Sequence, residues 1–193
     1  MNNFSVIDFR FAEVSDKFDE KYIQEGVWSR PYEYKYVLDI IKQYPKRPLI
    51  HNTSWGYEGV HVTFSYELDV LGDCLHSDIV SSPYRETYYY DITDEAKILE
   101  NKFDFVLNIS TIEHLDSVDK RILAIKNLYS QIVCGGYLIL TFDYPRVDLN
   151  EIEKIVNTKC KLSLNPLNGS NSVVKNLKYK DLNIVYLTIK KNE

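Results

Sequence analysis

The chain has 193 residues, 45% of them hydrophobic and 26% charged, with 7 glycines and 6 prolines. This composition excludes a disordered or collagen-like chain and suits one domain with a substantial core. The net charge of -5 comes without a dense basic block, so we expect a small-molecule partner and no nucleic acid. No apolar run approaches the roughly 18 residues that span a bilayer, and the acidic N-terminus is unlike a signal peptide. We therefore expect no membrane partner and a cytoplasmic location.

The pattern predicts a single domain (residues 1–193), with a helical extension or lid at residues 1–47 and a core at residues 48–193. In the extension, apolar side chains recur at helical spacing after Pro31, and Pro45 and Pro48 end that pattern.

From residue 48 onwards, short apolar runs alternate with segments of helical spacing. The runs that predict strands are residues 48–52, 73–79, 87–92, 102–109 and 137–142. The segments that predict helices are residues 60–71 and 119–133. Two closing runs, residues 173–177 and 182–189, predict an antiparallel hairpin. The alternation predicts an α/β fold with a doubly wound, mostly parallel, Rossmann-like sheet, whose ligands bind beyond the carboxyl ends of its strands.

The cysteines Cys74, Cys134 and Cys160 are widely spaced and odd in number. We expect reduced core thiols rather than disulfides or a zinc site. No dense cluster of metal ligands is visible in the sequence, so we expect catalysis without a metal.

Two segments carry a resemblance to a known family. The sequence FDFVLNISTIEHL at residues 103–115 is followed, after a predicted helix, by CGGYLILT at residues 134–141. This pattern resembles the class I S-adenosylmethionine-dependent methyltransferases over roughly residues 30–190. The loop WGYEGVH at residues 55–61 looks similar to those of small methyltransferases from surface-glycan gene sets. The resemblance implies S-adenosyl-L-methionine as cofactor and methylation of a hydroxyl, or less favourably an amine, of a small acceptor such as a sugar or nucleotide sugar.

The ends of the second and third predicted strands provide candidate cofactor residues. An acid at the end of the second strand can accept two hydrogen bonds from a ribose diol, which makes Asp78 a candidate; capping of the next turn is the alternative. Asp91 and Ile92 are candidates for the adenine amino group and ring, and an N-cap role explains Asp91 equally well.

The loop after the first core strand departs from the family pattern. A glycine-rich loop lets the backbone approach the cofactor, and this loop has Gly56 and Gly59 together with the bulky Trp55. Asn52 lies where the family usually has an acid. The resemblance makes Asn52, the two glycines and Glu58 candidates, with Glu58 placed to bind the amino group of the methionine portion.

Asn108, Glu113 and His114 follow the strand at residues 102–109, at the carboxyl edge of the sheet. His114 is the candidate catalytic base, because a neutral imidazole can remove a proton from an attacking hydroxyl. The alternative is a Glu-His pair that caps the next helix. Asn108 is a candidate for the cofactor and Glu113 for the substrate.

Arg30, Tyr32 and Tyr34 precede the core, where related enzymes often fold a helix over the cofactor. Arg30 can pair with a carboxylate, and either tyrosine can line an acceptor pocket. A solvated helix start explains all three equally well.

Other function classes fit the sequence less well. His76, Asp78 and His114 have the types of a two-histidine, one-carboxylate iron site, but such oxygenases usually have a β-rich barrel. A nicotinamide-dependent enzyme needs the G-x-G-x-x-G turn, which this sequence lacks. The main alternative is a catalytically inactive methyltransferase-like binding or scaffold module, in which Trp55 closes the cofactor groove. The pattern leaves the oligomeric state open.

Overall fold

The computed structural model describes residues 3–24, 28–56, 59–97, 99–158, 173–175 and 182–192. In this part of the chain one sheet contains β1 (Phe4–Phe11), β2 (Leu49–Thr53), β3 (Asp73–Asp78), β4 (Tyr88–Tyr89), β5 (Phe103–Ile109), β6 (Ile132–Tyr144) and β7 (Asn183–Lys191). The helices are α1 (Arg30–Lys42), α2 (Gly59–Leu71), α3 (Val118–Ser130) and α4 (Leu149–Val156). Short 3-10 turns occupy Glu20–Tyr22, Glu95–Lys97 and Ile112–His114.

The strand order is β1-β7-β6-β5-β2-β3-β4. The pairs within β2 to β6 are all parallel, whereas β7 runs antiparallel to both β6 and β1. Along the chain, the sheet grows from β2 through β3 to β4, and then continues on the other side of β2 with β5 and β6. The order therefore reverses between β2 and β5, and the crevice beyond the carboxyl ends of these two strands is the expected ligand site of such a sheet.

The central strand β5 is buried along its whole length. Its residues Phe105, Leu107 and Ile109 pack against α1 and α2, while Val106 belongs to the cluster formed with α3 and α4. Helices thus cover both faces of the sheet, which explains the nearly continuous apolar sequence of β5. None of the helices among the described residues combines the length and apolarity needed to cross a bilayer.

The predicted doubly wound sheet is confirmed, and most core strands and helices occur close to their expected positions. Two bounds were wrong: β6 begins at Ile132, inside the predicted helix, and β4 is only Tyr88–Tyr89. The pattern did not predict β1 or α4. In β1 the burial alternates weakly, and the strand forms by pairing with β7, which is distant in sequence. Of the predicted hairpin, β7 is present, whereas Val173 and Lys175 form only isolated antiparallel bridges, to Glu13 and Asn183.

The prediction of core thiols is wrong for Cys134, which is exposed in β6. Cys134 lies in the irregular stretch of the pairing, between Ile132, which pairs with Phe103, and Tyr137, which pairs with Phe105, and its side chain there is outside the core. Cys74 is half-buried in β3, and Cys160 lies outside the described residues.

Gly136 permits a close approach between β6 and β5, at an irregularity in their pairing between Phe103 and Phe105. A Cβ at residue 136 would lie 2.9 Å from the carbonyl oxygen of Asp104 and 3.1 Å from that of Phe103. We predict that Gly136→Ala lowers the free energy of unfolding by about 2–3 kcal/mol, as overpacking does.

Gly135→Asn is the matched control, measured in the same urea titration. Gly135 has φ +80°, which asparagine tolerates, and a Cβ there meets nothing within 4 Å. Its expected loss is below about 1 kcal/mol. Equal losses for the two variants would contradict the steric explanation.

Candidate functional site

A cavity of about 160 Å³ lies at the carboxyl ends of β2 and β5, where the strand order reverses. Its lining residues are Arg30, Tyr34, Asn52, Thr53, Ser54, Trp55, Gly56, His61, Phe64, Ile109 and Ser110. They come from α1, the end of β2 with its following loop, α2 and the end of β5. Sites for whole small molecules usually occupy about 300–1,000 Å³, so this cavity has the size for one end of a ligand.

Asp78, at the end of β3, holds the loop that follows β2. Its Oδ2 accepts a hydrogen bond from the Gly56 N–H at 2.9 Å, and its Oδ1 accepts one from the Val80 N–H at 3.2 Å. Each carboxylate oxygen can accept a second hydrogen bond, so Asp78 keeps capacity for ligand hydroxyls. Gly56 has φ +71°, and a Cβ there would lie 3.1 Å from the ring of His61. The backbone conformation at this position favours glycine, and a Cβ there would also crowd the His61 ring.

Two side chains that line the cavity carry buried N–H donors without a hydrogen-bond partner among the described residues. They are Nε of Arg30 and Nε1 of Trp55. Trp55 is buried, and its ring packs edge-on to His76 with the centroids 5.9 Å apart. A buried donor left without an acceptor costs about 1–3 kcal/mol. A ligand acceptor oxygen within hydrogen-bond distance of either N–H would satisfy that group.

The two asparagines at the strand ends have different environments. Asn108, in β5, donates through Nδ2 to Thr53 Oγ1 at 3.0 Å, and its buried Oδ1 has no hydrogen-bond partner within the described ranges. The side-chain amide of Asn52, in β2, lies 3.2 Å from Nδ1 of His76. Asn52 lines the cavity, so His76 contacts two of the cavity's residues, Asn52 and Trp55.

Glu33 is a fully buried anion that joins α1 to the ends of β5 and β6. It pairs with Arg30 and accepts hydrogen bonds from Ser29 at 2.7 Å, Ser110 at 2.7 Å and Thr141 at 2.6 Å. Burial opposes its ionisation, but Arg30 and the three hydroxyls outweigh that effect and lower the pKa of Glu33. The sequence carried a signal for this buried pair: Glu33 is a charged residue on the apolar side of the predicted helix, three positions after Arg30. Glu33 was not among the residues predicted for the site.

Glu113 and Asp143 form a second buried group beside Glu33. Oε1 of Glu113 accepts the Asp143 backbone N–H at 3.4 Å, whereas Glu113 Oε2 and Asp143 Oδ1 have no partner in the described part of the chain. Burial, together with Asp143 and Glu33, raises the pKa of Glu113 to about 8. Burial and Glu33 raise the pKa of Asp143 to about 6. Glu113 therefore holds a proton at neutral pH.

His114 follows Glu113 in the chain and, unlike Glu113, is exposed. Partial burial, followed by the charges of Arg146 and Arg30, lowers its pKa. The imidazole is accordingly neutral at neutral pH, the form that a base requires. This arrangement is compatible with the predicted role and does not test it.

The tyrosines predicted to bind substrate occupy different places. Tyr34 lines the cavity, stacks on Phe64 with centroids 3.9 Å apart and hydrogen-bonds to His61. Tyr32 is half-buried outside that lining and packs edge-on to Phe18.

The remaining predicted residues contribute in other ways. Asp91 accepts hydrogen bonds from the backbone and hydroxyl of Thr93 at 2.8 and 2.7 Å, the geometry of a turn cap. Ile92 is buried in the core cluster beside α3. Gly59 begins α2, and Glu58 lies outside the described residues.

Solved methyltransferases share this fold. The 1,6-didemethyltoxoflavin-N1-methyltransferase of Burkholderia thailandensis has a TM-score of 0.57 and 13% identity, over 87% of this chain and 82% of that one. A SAM-dependent methyltransferase from Archaeoglobus fulgidus has a TM-score of 0.57 and 11% identity, over 82% and 92%. The [4+2]-cyclase SpnF has a TM-score of 0.57 and 9% identity, over 94% and 89%. The predicted class I methyltransferase fold is thus confirmed. No protein-family model and no curated protein matches the sequence.

One prediction for this site concerns Glu113 and pH. Its folded-state pKa of about 8 exceeds the ordinary value, so its contribution to stability is complete below about pH 4.5. That contribution is lost as the pH rises towards 8, because the unfolded chain releases the proton first. Glu113→Gln keeps the neutral shape, and we expect it to raise the free energy of unfolding by about 1–3 kcal/mol at pH 8 and by less at pH 5.5.

Urea unfolding at the two pH values measures this difference, and Glu95→Gln on an exposed turn is the control. A Glu113→Gln effect that does not change with pH would show that Glu113 is ionised in the folded protein.

A further prediction concerns the buried ion pair of Arg30 and Glu33. Glu33→Ala leaves Arg30 without its buried partner, and we expect a loss of about 3–5 kcal/mol in the free energy of unfolding. Asp39→Ala, on the same helix, removes partly exposed pairs with Lys35 and Lys17 and should cost below about 1 kcal/mol. Thermal and urea unfolding of both variants provide the measurement. Similar losses at the two positions would argue against Glu33 as an anchor of α1.

Proposed function

We propose that this chain is an S-adenosyl-L-methionine-dependent methyltransferase that methylates a hydroxyl of a small polar acceptor, such as a sugar or nucleotide sugar. The observation that carries this proposal is the cavity at the strand-order reversal, lined by the unpartnered donors of Arg30 and Trp55 and adjoining the Asp78 carboxylate. The solved methyltransferases of the same fold support it. The surface-glycan resemblance of the loop at residues 55–61 supports the choice of acceptor.

The chemistry of the residues fits this cofactor at both ends of the proposed site. Arg30 Nε and Trp55 Nε1 suit the methionyl carboxylate, and the cavity has the size for the methionyl end. Asp78 has unused lone pairs for the ribose hydroxyls. Arg30, predicted on the substrate side, is here assigned to the cofactor. We assign Asn108, through its unpartnered Oδ1, to the ammonium group.

In this proposal the wall of the cavity beside the cofactor is shaped by Asn52, Gly56 and Gly59. Glu58 stays a candidate for binding the ammonium group. We place the adenine beyond Asp78, next to β4. Asp91 and Ile92 follow that strand and remain proposed contacts of the base.

The bound cofactor supplies an electrophilic methyl group on a sulfonium sulfur. His114 removes the proton of the acceptor hydroxyl as the hydroxyl oxygen attacks the methyl carbon. Glu113, protonated at neutral pH, donates a hydrogen bond from Oε2 to an acceptor oxygen. Tyr32 and Tyr34, in the first two turns of α1, complete the proposed binding surface for the acceptor.

The alternative function is a methyltransferase-like binding or scaffold module without catalysis. Two observations favour it: both oxygens of Asp78 already accept backbone N–H groups, and the cavity is small. It predicts that S-adenosylmethionine does not bind.

Calorimetric titration with S-adenosylmethionine and S-adenosylhomocysteine separates the two functions. We expect micromolar binding to the wild type, weakened by about 1–3 kcal/mol in Asp78→Ala, the loss for hydrogen bonds to a charged group. Asp73→Ala, at the exposed opposite end of β3, should bind like the wild type. If neither ligand binds to the wild type, the proposed methyltransferase activity is rejected, and the binding or scaffold module becomes the proposed function.

A screen beginning with nucleotide sugars then identifies the acceptor and tests the base. His114→Gln should lower kcat by about 10²–10⁴-fold, the usual contribution of a general base, and leave the affinity for S-adenosylhomocysteine unchanged. An unchanged kcat in His114→Gln would remove the histidine from the reaction.

A further inference from the structure

A group of three potential metal ligands lies on the other side of Asn52 from the cavity. Asp69 belongs to the last turn of α2, and Cys74 and His76 belong to β3. A carboxylate oxygen, the thiol sulfur and an imidazole nitrogen of these residues all lie within 4.8 Å of one another. We propose that Asp69, Cys74 and His76 form a binding site for one Zn²⁺ ion.

The fold brings the three side chains together for simple reasons. Cys74 and His76 are two residues apart in a strand, so they share a face of the sheet. Only Gly72 separates the end of α2 at Leu71 from the start of β3 at Asp73. The last turn of α2 therefore lies close to the start of β3. Asp69 Oδ1 is already 3.0 Å from His76 Nε2.

The donor set suits zinc. Thiolate and imidazole are the ligands that zinc prefers, and a carboxylate completes a three-residue set. Tetrahedral zinc, with bonds of about 2.0–2.3 Å, places its ligand atoms about 3–4 Å apart, so side-chain adjustments of about 1 Å suffice. Asp69 is partly exposed, which leaves the fourth position for water.

The surroundings provide the contacts that a metal-bound histidine needs. Such a histidine donates its other ring N–H to an oxygen. The Asn52 amide lies 3.2 Å from His76 Nδ1, and a half-turn of the amide places Oδ1 there as the acceptor. Nε2 is then free for the metal. Arg85 holds Asp69 Oδ2 at 2.9 Å and orients the carboxylate, leaving Oδ1 to coordinate.

The protons balance in a simple way. The thiol of Cys74 releases its proton to solvent and binds as thiolate. The Nε2 proton of His76 is exchanged through solvent for one on Nδ1. One proton is therefore released for each ion bound. The bound ion would link α2 to β3 and restrict the motion of His76, and therefore of Asn52 and Trp55, which contact it. Its role is structural: the ion stabilises the wall of the cavity and takes no part in methyl transfer.

The experiment uses Co²⁺ as a spectroscopic probe for the zinc site. A parent protein with Cys134→Ser and Cys160→Ser keeps Cys74 as its single cysteine. We expect saturation at one Co²⁺ per chain, with a cobalt-thiolate charge-transfer band and the visible bands of tetrahedral cobalt. Zn²⁺ should displace the probe. Titration of the metal-free parent protein with Zn²⁺ should release one proton per ion bound, measured by calorimetry in two buffers of different ionisation enthalpy.

Variants of the parent protein assign the ligands. Adding Cys74→Ser should abolish the charge-transfer band, and His76→Gln should weaken cobalt binding at least 10-fold, the loss of one ligand. Asp73→Asn changes the exposed acid next to Cys74 and should leave binding unchanged. Circular dichroism confirms folding, and Cys74→Ser decides the question if His76→Gln unfolds.

Absence of saturable cobalt binding, or a charge-transfer band that survives Cys74→Ser, would overturn the proposal. The test does not involve S-adenosylmethionine, so its outcome is independent of the proposed methyl transfer.

Discussion

The buried ion pair between Arg30 and Glu33 fixes the position of α1 relative to the carboxyl ends of β5 and β6. Glu33 is fully buried, and its remaining acceptor capacity is used by Ser29, Ser110 and Thr141. Through these contacts the first turn of α1 is held over the ends of β5 and β6. A buried pair of this kind requires that all its members stay in place, because removing one leaves a buried charge without compensation. The cavity, whose lining includes Arg30, Tyr34 and Ser110, depends on this arrangement.

The same pair adds to the protonation of its neighbours. Burial raises the pKa values of Glu113 and Asp143, the Glu33 anion raises them further, and the charge of Arg30 lowers them in part. A protonated carboxyl group and, in the next residue, the neutral imidazole of His114 therefore lie at this edge of the sheet. Titratable groups with displaced pKa values in a crevice are typical of functional sites, although ion-pair networks also displace them.

The loop after β2 links the proposed cofactor site to the proposed zinc site. Asp78 holds Gly56, Trp55 packs against His76, and Asn52 contacts His76 from the cavity. A bulky tryptophan can occupy this loop because it is buried against β3. Trp55, which replaces a small residue of a glycine-rich loop, is thus accommodated by packing against His76 of β3. Asn52 and Trp55 line the cavity and also contact His76, so the proposed cofactor site and the proposed zinc site are in direct contact.

The sequence by itself determined the alternation of strands and helices, because apolar spacing follows from which faces of each element are buried. It also identified Asp78, Asn52 and Trp55 as belonging to one edge, since parallel strands end on the same side of the sheet. It did not determine β1, whose partner β7 is more than 170 residues away in the chain. Nor did it reveal Glu33 as an anchor or Asp69 as a neighbour of His76. Those roles depend on distances between elements and on burial. The packing of α1 and α2 onto the sheet determined these distances and this burial. The partners and the ionisation state of a side chain depend on the groups around it in space, which the sequence order does not show.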